Sequence, residues 1–146
     1  ERGVAAGGKF YFAKSMAEVP DTLNFLLDYP EGLTVQLVSS MANDTPVEHM
    51  LRGNKATLSF TRTGFSVKPQ KLYEDEGKPV EFAKTGAESV NLHHRNLQNA
   101  IRKGEALKCD CDLGYYGVVA AGIGNESYRK RAYLAWDRNG QKLKKA

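Results

Sequence analysis

Along TLNFLLDY (22–29), Leu23, Phe25, Leu27 and Tyr29 fall on one face of an extended chain, and along LTVQLVSS (33–40) Leu33, Val35 and Leu37 do the same. A period of two is the signature of a strand with one buried face. Between the two runs stands Pro30-Glu31-Gly32, which suits a type I turn closed by a left-handed glycine. The pattern predicts an antiparallel hairpin. A second one follows: VEHMLR (47–52), a turn at Gly53-Asn54, then KATLSFT (55–61). A turn at Thr63-Gly64 leads into FSVKP, and QKLYE (70–74) is expected to add an edge. KFYF (9–12) is a further short strand. The polar stretch KSMAEVPD (14–21), the segment 75–88 with its Pro and Gly, and residues 1–8 are expected as loops.

From Val90 the period changes. Apolar groups recur at Leu97, Ala100 and Ile101, and Gly104 closes the run, so a helix is expected over 90–103. A second helix is expected from Leu113 to about Arg131, with Asp112 as its N-cap. Tyr115, Val118, Val119 and Ile123 make one stripe of it; Gly114, Gly117, Ala121 and Gly124 make another. Glycine inside a helix costs up to ~1 kcal/mol against alanine, so the small stripe is expected to pack closely on a neighbour. AYLAWD (132–137) reads as a last strand. The whole is α+β: a mostly antiparallel open sheet with two main helices packed on one face, in a single domain over residues 1–146.

Composition adds bounds. The chain has 146 residues, 41% of them hydrophobic and 26% charged, which suits one globular domain. The net charge of +4 is mild, and the one dense basic patch is the tail RNGQKLKK, read as a solvated end rather than a nucleic-acid contact. No apolar run approaches the roughly 18–20 residues of a membrane span. The chain opens ERGVAAGG without Met, which leaves room for a signal or a domain upstream.

Candidate chemistry concentrates in NLHHRNLQNAIRKGEALKCDCDLG (91–114), which holds two of the three histidines and both cysteines. His93 and His94 are neighbours, about 100° apart on a helix, and do not converge on one ion. His93 lies one turn before Leu97 and is expected to be a partly buried imidazole with a hydrogen-bond partner. Cys109 and Cys111 are expected as small, half-buried loop residues; the flanking Asp110 and Asp112 disfavour a thiolate. In AAGIGNES (120–127), Gly122 and Gly124 form half of a dinucleotide fingerprint, but Ser127 stands at the third glycine position and no strand leads in, so no phosphate cradle is expected. Asp21, Asp28 and Asp44 are given loop or turn roles. No catalytic, cofactor-binding or metal-binding residue is assigned.

The order of short motifs is informative. His93-x-x-Asn96-Leu97 with Ala100-Ile101-Arg102-x-Gly104, then Cys109-Asp110, Leu113-Gly114, Gly124-Asn125-x-Ser127-Tyr128-Arg129 and the Trp136-Asp137 end, resembles the closing part of the Gfo/Idh/MocA family, the glucose–fructose oxidoreductase and inositol dehydrogenase group. EVPDTLNFLLDYPEGLTVQLVSSMAND (18–44) is similar to the first hairpin of that family's C-terminal domain; Arg52-Gly53 and Ala56-Thr57-Leu58 resemble its second. The resemblance implies a parent enzyme with an N-terminal Rossmann domain that binds NAD or NADP, absent from this chain. It implies a small carbohydrate substrate, a homo-oligomer formed through the exposed sheet face, and a cytoplasmic location, or a periplasmic one where a signal precedes the parent. Neither nucleic acid nor membrane enters as a partner. The family's Glu-Lys-Pro and Asp-x-x-x-His motifs are not found here: Thr45, Ser89 and Val90 stand four residues before His49, His93 and His94. No catalytic role therefore carries over, and His93 and Asn96 are read as structural. The alternative is a stand-alone module that binds carbohydrate or protein without catalysis.

Overall fold

A computed structural model describes residues 1–87 and 89–146. The class is α+β, with two principal helices and strictly antiparallel pairing, and the strands divide between two sheets rather than forming one. The chain forms two compact units, Glu1–Thr45 with Cys109–Ala146, and Pro46–Lys108.

The first unit holds β1 (Arg2–Gly8), β2 (Thr22–Tyr29), β3 (Leu33–Ser40), α2 (Cys111–Lys130), β8 (Leu134–Asp137) and β9 (Lys142–Lys145), its sheet ordered β3-β2-β1-β8-β9. The β2–β3 hairpin has the expected bounds. Gly32 takes a φ of 83° and donates its N–H to the Tyr29 carbonyl at 3.1 Å, which is the left-handed closure that Pro30-Glu31-Gly32 suggests. Helix α2 packs on one face of this sheet. Phe25, Leu27, Ala5, Val119, Ile123 and Leu134 form the core, and Ile123 is wholly buried.

Two expectations at the start of the chain exchange places. Residues 1–8 are not a loop but contain β1, and KFYF is not a strand. The Asp21 carboxylate explains the second point. It accepts from the backbone N–H of Phe10, Tyr11 and Phe12 at 3.1, 2.9 and 2.8 Å, so the donors of a ladder are curled around one side chain. The first point follows from space. β1 is rich in Gly and Ala, which lowers strand propensity, but a Cβ on Gly3 would fall 2.6 Å from the Phe25 ring.

Helix α2 begins one residue before Asp112, and its N-cap is Asp110, whose Oδ1 accepts from the Leu113 N–H at 2.9 Å. Its buried face is Val119, Ile123, Gly124 and Ser127; Tyr115 and Val118 are exposed. Of the small stripe, Gly124 meets the expectation, with the Phe25 ring 3.2 Å from where its Cβ would stand. Gly114 and Gly117 have no such neighbour within 4 Å, so close packing does not offset their cost. Ser127 closes the seam. Its hydroxyl accepts from the Ala5 N–H at 2.9 Å and donates to the Ala132 carbonyl at 2.6 Å. The tail's basic side chains are exposed, as a solvated end requires, but its backbone is ordered: Lys142–Lys145 pairs with β8.

The second unit holds β4 (Met50–Arg52), β5 (Ala56–Thr61), β6 (Gly64–Pro69), β7 (Val80–Ala83) and α1 (Val90–Lys103), its sheet ordered β4-β5-β6-β7. The strand expected over 47–52 keeps only its last three residues, and 70–74 holds a 3-10 turn at Lys71–Tyr73 instead of an edge strand. β7 falls inside the expected loop 75–88, whose last residue, Glu88, lies outside the described residues. Its Phe82 pairs with Phe65 across the ladder, and the rings stack at 4.6 Å. That aromatic pair outweighs the turn-forming residues around it. Helix α1 has the expected bounds, and Gly104 ends it at φ 68°, its N–H on the Ala100 carbonyl.

Two substitutions test this packing. Ile123→Ala is expected to destabilise the chain by about 2–5 kcal/mol in chemical denaturation, as a large-to-small change in a filled core does. Gly117→Ala is expected to stabilise it by about 0.5–1 kcal/mol, because the added methyl gains helix propensity in open space.

Candidate functional site

The alternation of β2 places Leu23, Phe25 and Leu27 toward α2 and Asn24, Leu26 and Asp28 on the opposite face of the five-stranded sheet. Register carries that second face across its neighbours. Leu26 lies opposite Val4 of β1 and Gln36 of β3; Asn24 lies opposite Val38; Asp28 lies opposite Arg2 and Thr34. Val4, Leu26 and Val38 are 39, 46 and 41% exposed, so apolar groups of this face stay in contact with solvent; on the α2 face Leu33 and Leu37 of β3, each 54% exposed, are also left uncovered.

Beside this apolar strip stands a polar network centred on Asp28. Thr34 donates its hydroxyl to Oδ1 at 2.8 Å, and Tyr133 donates its own to Oδ2 at 3.1 Å. The Arg2 guanidinium lies 3.7 Å from Oδ2 and 5.9 Å from the Tyr133 ring centre, a salt bridge and a cation–π contact together. The Thr34 hydrogen bond, the Tyr133 hydrogen bond and the nearby Arg2 charge hold the Asp28 carboxyl below the usual carboxylate range, against partial desolvation. Desolvation and the hydrogen bond it gives to Asp28 push the Tyr133 phenol above its ordinary value. The network fixes an ionised carboxylate on the open face. Both oxygens of that carboxylate are already engaged.

Asp28 is thus a strand residue and not part of a turn. Asp21 is the buried anchor of the 10–12 turn. Burial raises its carboxyl, and the hydrogen bonds from Phe12, Phe10, Thr22 and Tyr11 outweigh that and keep it low. Asp44 is an exposed loop residue. His93, expected to be partly buried, is exposed, as are His94 and His49. The buried position of α1 is Asn96. Its amide N–H donates to Glu105 Oε1 at 2.7 Å and to the Ala106 carbonyl at 2.9 Å, and its carbonyl accepts from the Lys108 N–H at 3.0 Å. Asn96 is the clasp that returns the chain after α1, which gives the structural reading of that residue its content. The stripe residues Leu97 and Ile101 are exposed. Cys109 and Cys111 are free thiols and exposed rather than half-buried. Gly122 and Gly124 lie well inside α2, away from any strand-to-helix turn. Among the described residues no three His, Cys, Asp or Glu side chains gather as a metal site would need, and no helix is long and apolar enough to cross a membrane.

Sequence reasoning missed Thr34, Tyr133 and Arg2. The first was within reach, since a hairpin turning at Pro30–Gly32 puts Asp28 opposite Thr34. The other two depend on β1 and on the strand order. Compared with protein-family profiles, with curated proteins and with solved structures, the chain matches none.

The network makes a pH prediction. A carboxyl held low in the folded chain contributes stability that is present above its unfolded value, near 4, and is lost as the pH falls through the lower folded value. Asp28→Asn is expected to reduce stability at neutral pH and to flatten its decline in that acid window. Tyr133→Phe is expected to bring the Asp28 titration, followed by carbon-detected NMR, back toward the ordinary range.

Proposed function

We propose that this chain is the C-terminal substrate-binding and oligomerisation domain of an NAD(P)-dependent oxidoreductase of the Gfo/Idh/MocA type, acting on a sugar, polyol or related carbohydrate. The observation that carries the reading is the exposed apolar surface that the five-stranded sheet keeps on its face away from α2. Helix α2 covers the inner face over β1, β2 and β8, leaving Leu33 and Leu37 of β3 exposed there, and Val4, Leu26 and Val38 stay exposed on the outer face beside a fixed carboxylate. A scaffold that pairs with a second copy through its sheet needs such a face, apolar in part and polar at its margin. The motif order along residues 18–137 supports the family, and the expected hairpin at 22–40 and helix at 90–103 have the expected bounds.

Nicotinamide cofactor enters this reading only through a separate nucleotide-binding domain. The residues of this chain do not fit it. Gly122 and Gly124 are helical, and Gly124 faces the Phe25 ring, so their backbone is not open to a pyrophosphate. When bound to its own domain the cofactor supplies hydride chemistry; the part assigned to this chain is to bound the substrate pocket and to hold subunits together.

Sedimentation velocity tests the oligomer, and saturation-transfer NMR against hexoses, polyols and sugar acids tests the ligand class. The expected result is a concentration-dependent dimer that Leu26→Asp converts to monomer, together with carbohydrate signals in both. A strict monomer at all concentrations, or hydride transfer to NAD(P) by this chain unaided, overturns the proposal.

A further inference from the structure

Strand β1 is paired along its whole length on one side only. β2 matches it from Arg2 to Gly8, whereas β8 matches it at Arg2 and Gly3 alone. The Gly8 carbonyl accepts from the Asp21 N–H, on the β2 side, and the Ala5 N–H reaches Ser127, on the other. Backbone groups alternate sides along a strand, so Gly7 shares the side of Ala5. Its N–H and carbonyl face away from β2, and no strand among the described residues pairs with them there.

That half-edge forms the floor of a groove of about 660 Å³, lined by Val4–Phe10 with Tyr128, Arg129 and Arg131 at the end of α2. The volume lies within the ~300–1,000 Å³ of ordinary ligand sites. Tyr128 and Phe10 offer ring surface. Lys130 is paired with Glu126 at 2.9 Å and the Arg129 charge also bears on that carboxylate, while Arg131 makes no ion pair among the described residues. Basic groups in a last turn complement the helix dipole without any ligand. Here they also border an unpaired strand edge, and that conjunction is what selects an occupant.

We propose that the free half-edge of β1 is a docking site for a short, extended, acidic peptide segment of a partner protein, which adds beside Gly7 as a further strand. Strand addition supplies main-chain hydrogen bonds, and the groove walls select the side chains. Both bonds of one rung form at Gly7. Alternate side chains of the peptide lie against Tyr128 and Phe10, and its carboxylates meet Arg129 and Arg131. The site adjoins the open sheet face, with which it shares Val4, and does not rest on the oxidoreductase reading.

The test uses the whole chain and three probes: fluorescein-labelled VEVEV, the same peptide with Lys for Glu, and VEVEV methylated on alternate backbone nitrogens. Fluorescence anisotropy is expected to show VEVEV binding about tenfold tighter than either control. Its binding is expected to weaken about tenfold in the Arg129→Gln, Arg131→Gln double variant, whose exposed side chains leave the fold unchanged by circular dichroism. Hydrogen exchange of the Gly7 amide is expected to slow when VEVEV is added. Equal binding of the methylated or Lys peptide, no binding of VEVEV, or an unchanged Gly7 amide overturns the proposal. So does a Gly7 amide already protected in a concentration-dependent way without peptide, since the occupant is then a second copy of the chain.

Discussion

The first unit depends on how closely α2 can lie on β1. The seam is built from side chains that are absent or nearly so: Gly3 and Ala5 on the strand, Gly124 and Ser127 on the helix. Phe25 fills the space they leave, with its ring 3.2 Å from the place of a Gly124 Cβ and 2.6 Å from that of a Gly3 Cβ. A buried hydroxyl is costly unless it is bonded. Ser127 uses both its acceptor and its donor here, one toward β1 and one toward the turn that starts β8. The same residue therefore fixes helix to strand and fixes where the chain leaves the helix, at Arg131 with its φ of 48°. Every later feature, the open face and the free half-edge alike, takes its position from that seam.

Much of the architecture was legible because its signals are local. The β2–β3 hairpin combines strict alternation with a turn that needs a left-handed glycine, and both can be seen in twenty residues. Helix α1 combines a period near 3.6 with a glycine stop. Most of the failures share another cause. β1 is a poor strand by propensity, yet its glycines are needed because β2 lies so close, the Phe25 ring at Gly3 and the Thr22 backbone at Gly7 leaving no room for a Cβ. KFYF is a good strand by propensity and is bent because Asp21, far along the chain, takes its N–H groups. β9 simply folds back on the strand before it, and its lysine-rich sequence hides that pairing, whereas β7 is a short strand whose partner β6 lies across a longer connection. Tertiary context decides such segments, and a window along the chain does not contain it. His93 and Asn96 show the same limit on a finer scale. Both lie beside the apolar stripe of α1, and the buried one is the amide, because the 105–108 segment offers it a donor and two acceptors.

The two aspartates bordering β2 divide by what surrounds them. Asp21 is enclosed by backbone donors of its own loop, and its carboxylate serves as a turn-former. Asp28 is held by side chains, from β3, from β1 and from the residue before β8. The first arrangement secures local conformation. The second ties three strands of the open face together through a single charge.

That difference bears on what the open face can tolerate. An unpaired carboxylate on a surface that becomes covered costs several kcal/mol, and interfaces with such a group are weak. Asp28 does not present that problem. Oδ1 already accepts from Thr34, and Oδ2 from Tyr133, with Arg2 beside it. Covering Val4, Leu26 and Val38 then removes apolar area from water while leaving no carboxylate oxygen without a donor, and the remaining charge is balanced by Arg2 on the same face. The three partners already favour the ionised carboxylate while the face is wet. Under the proposed pairing of two sheets, the network would let this face be covered without leaving the carboxylate unpaired.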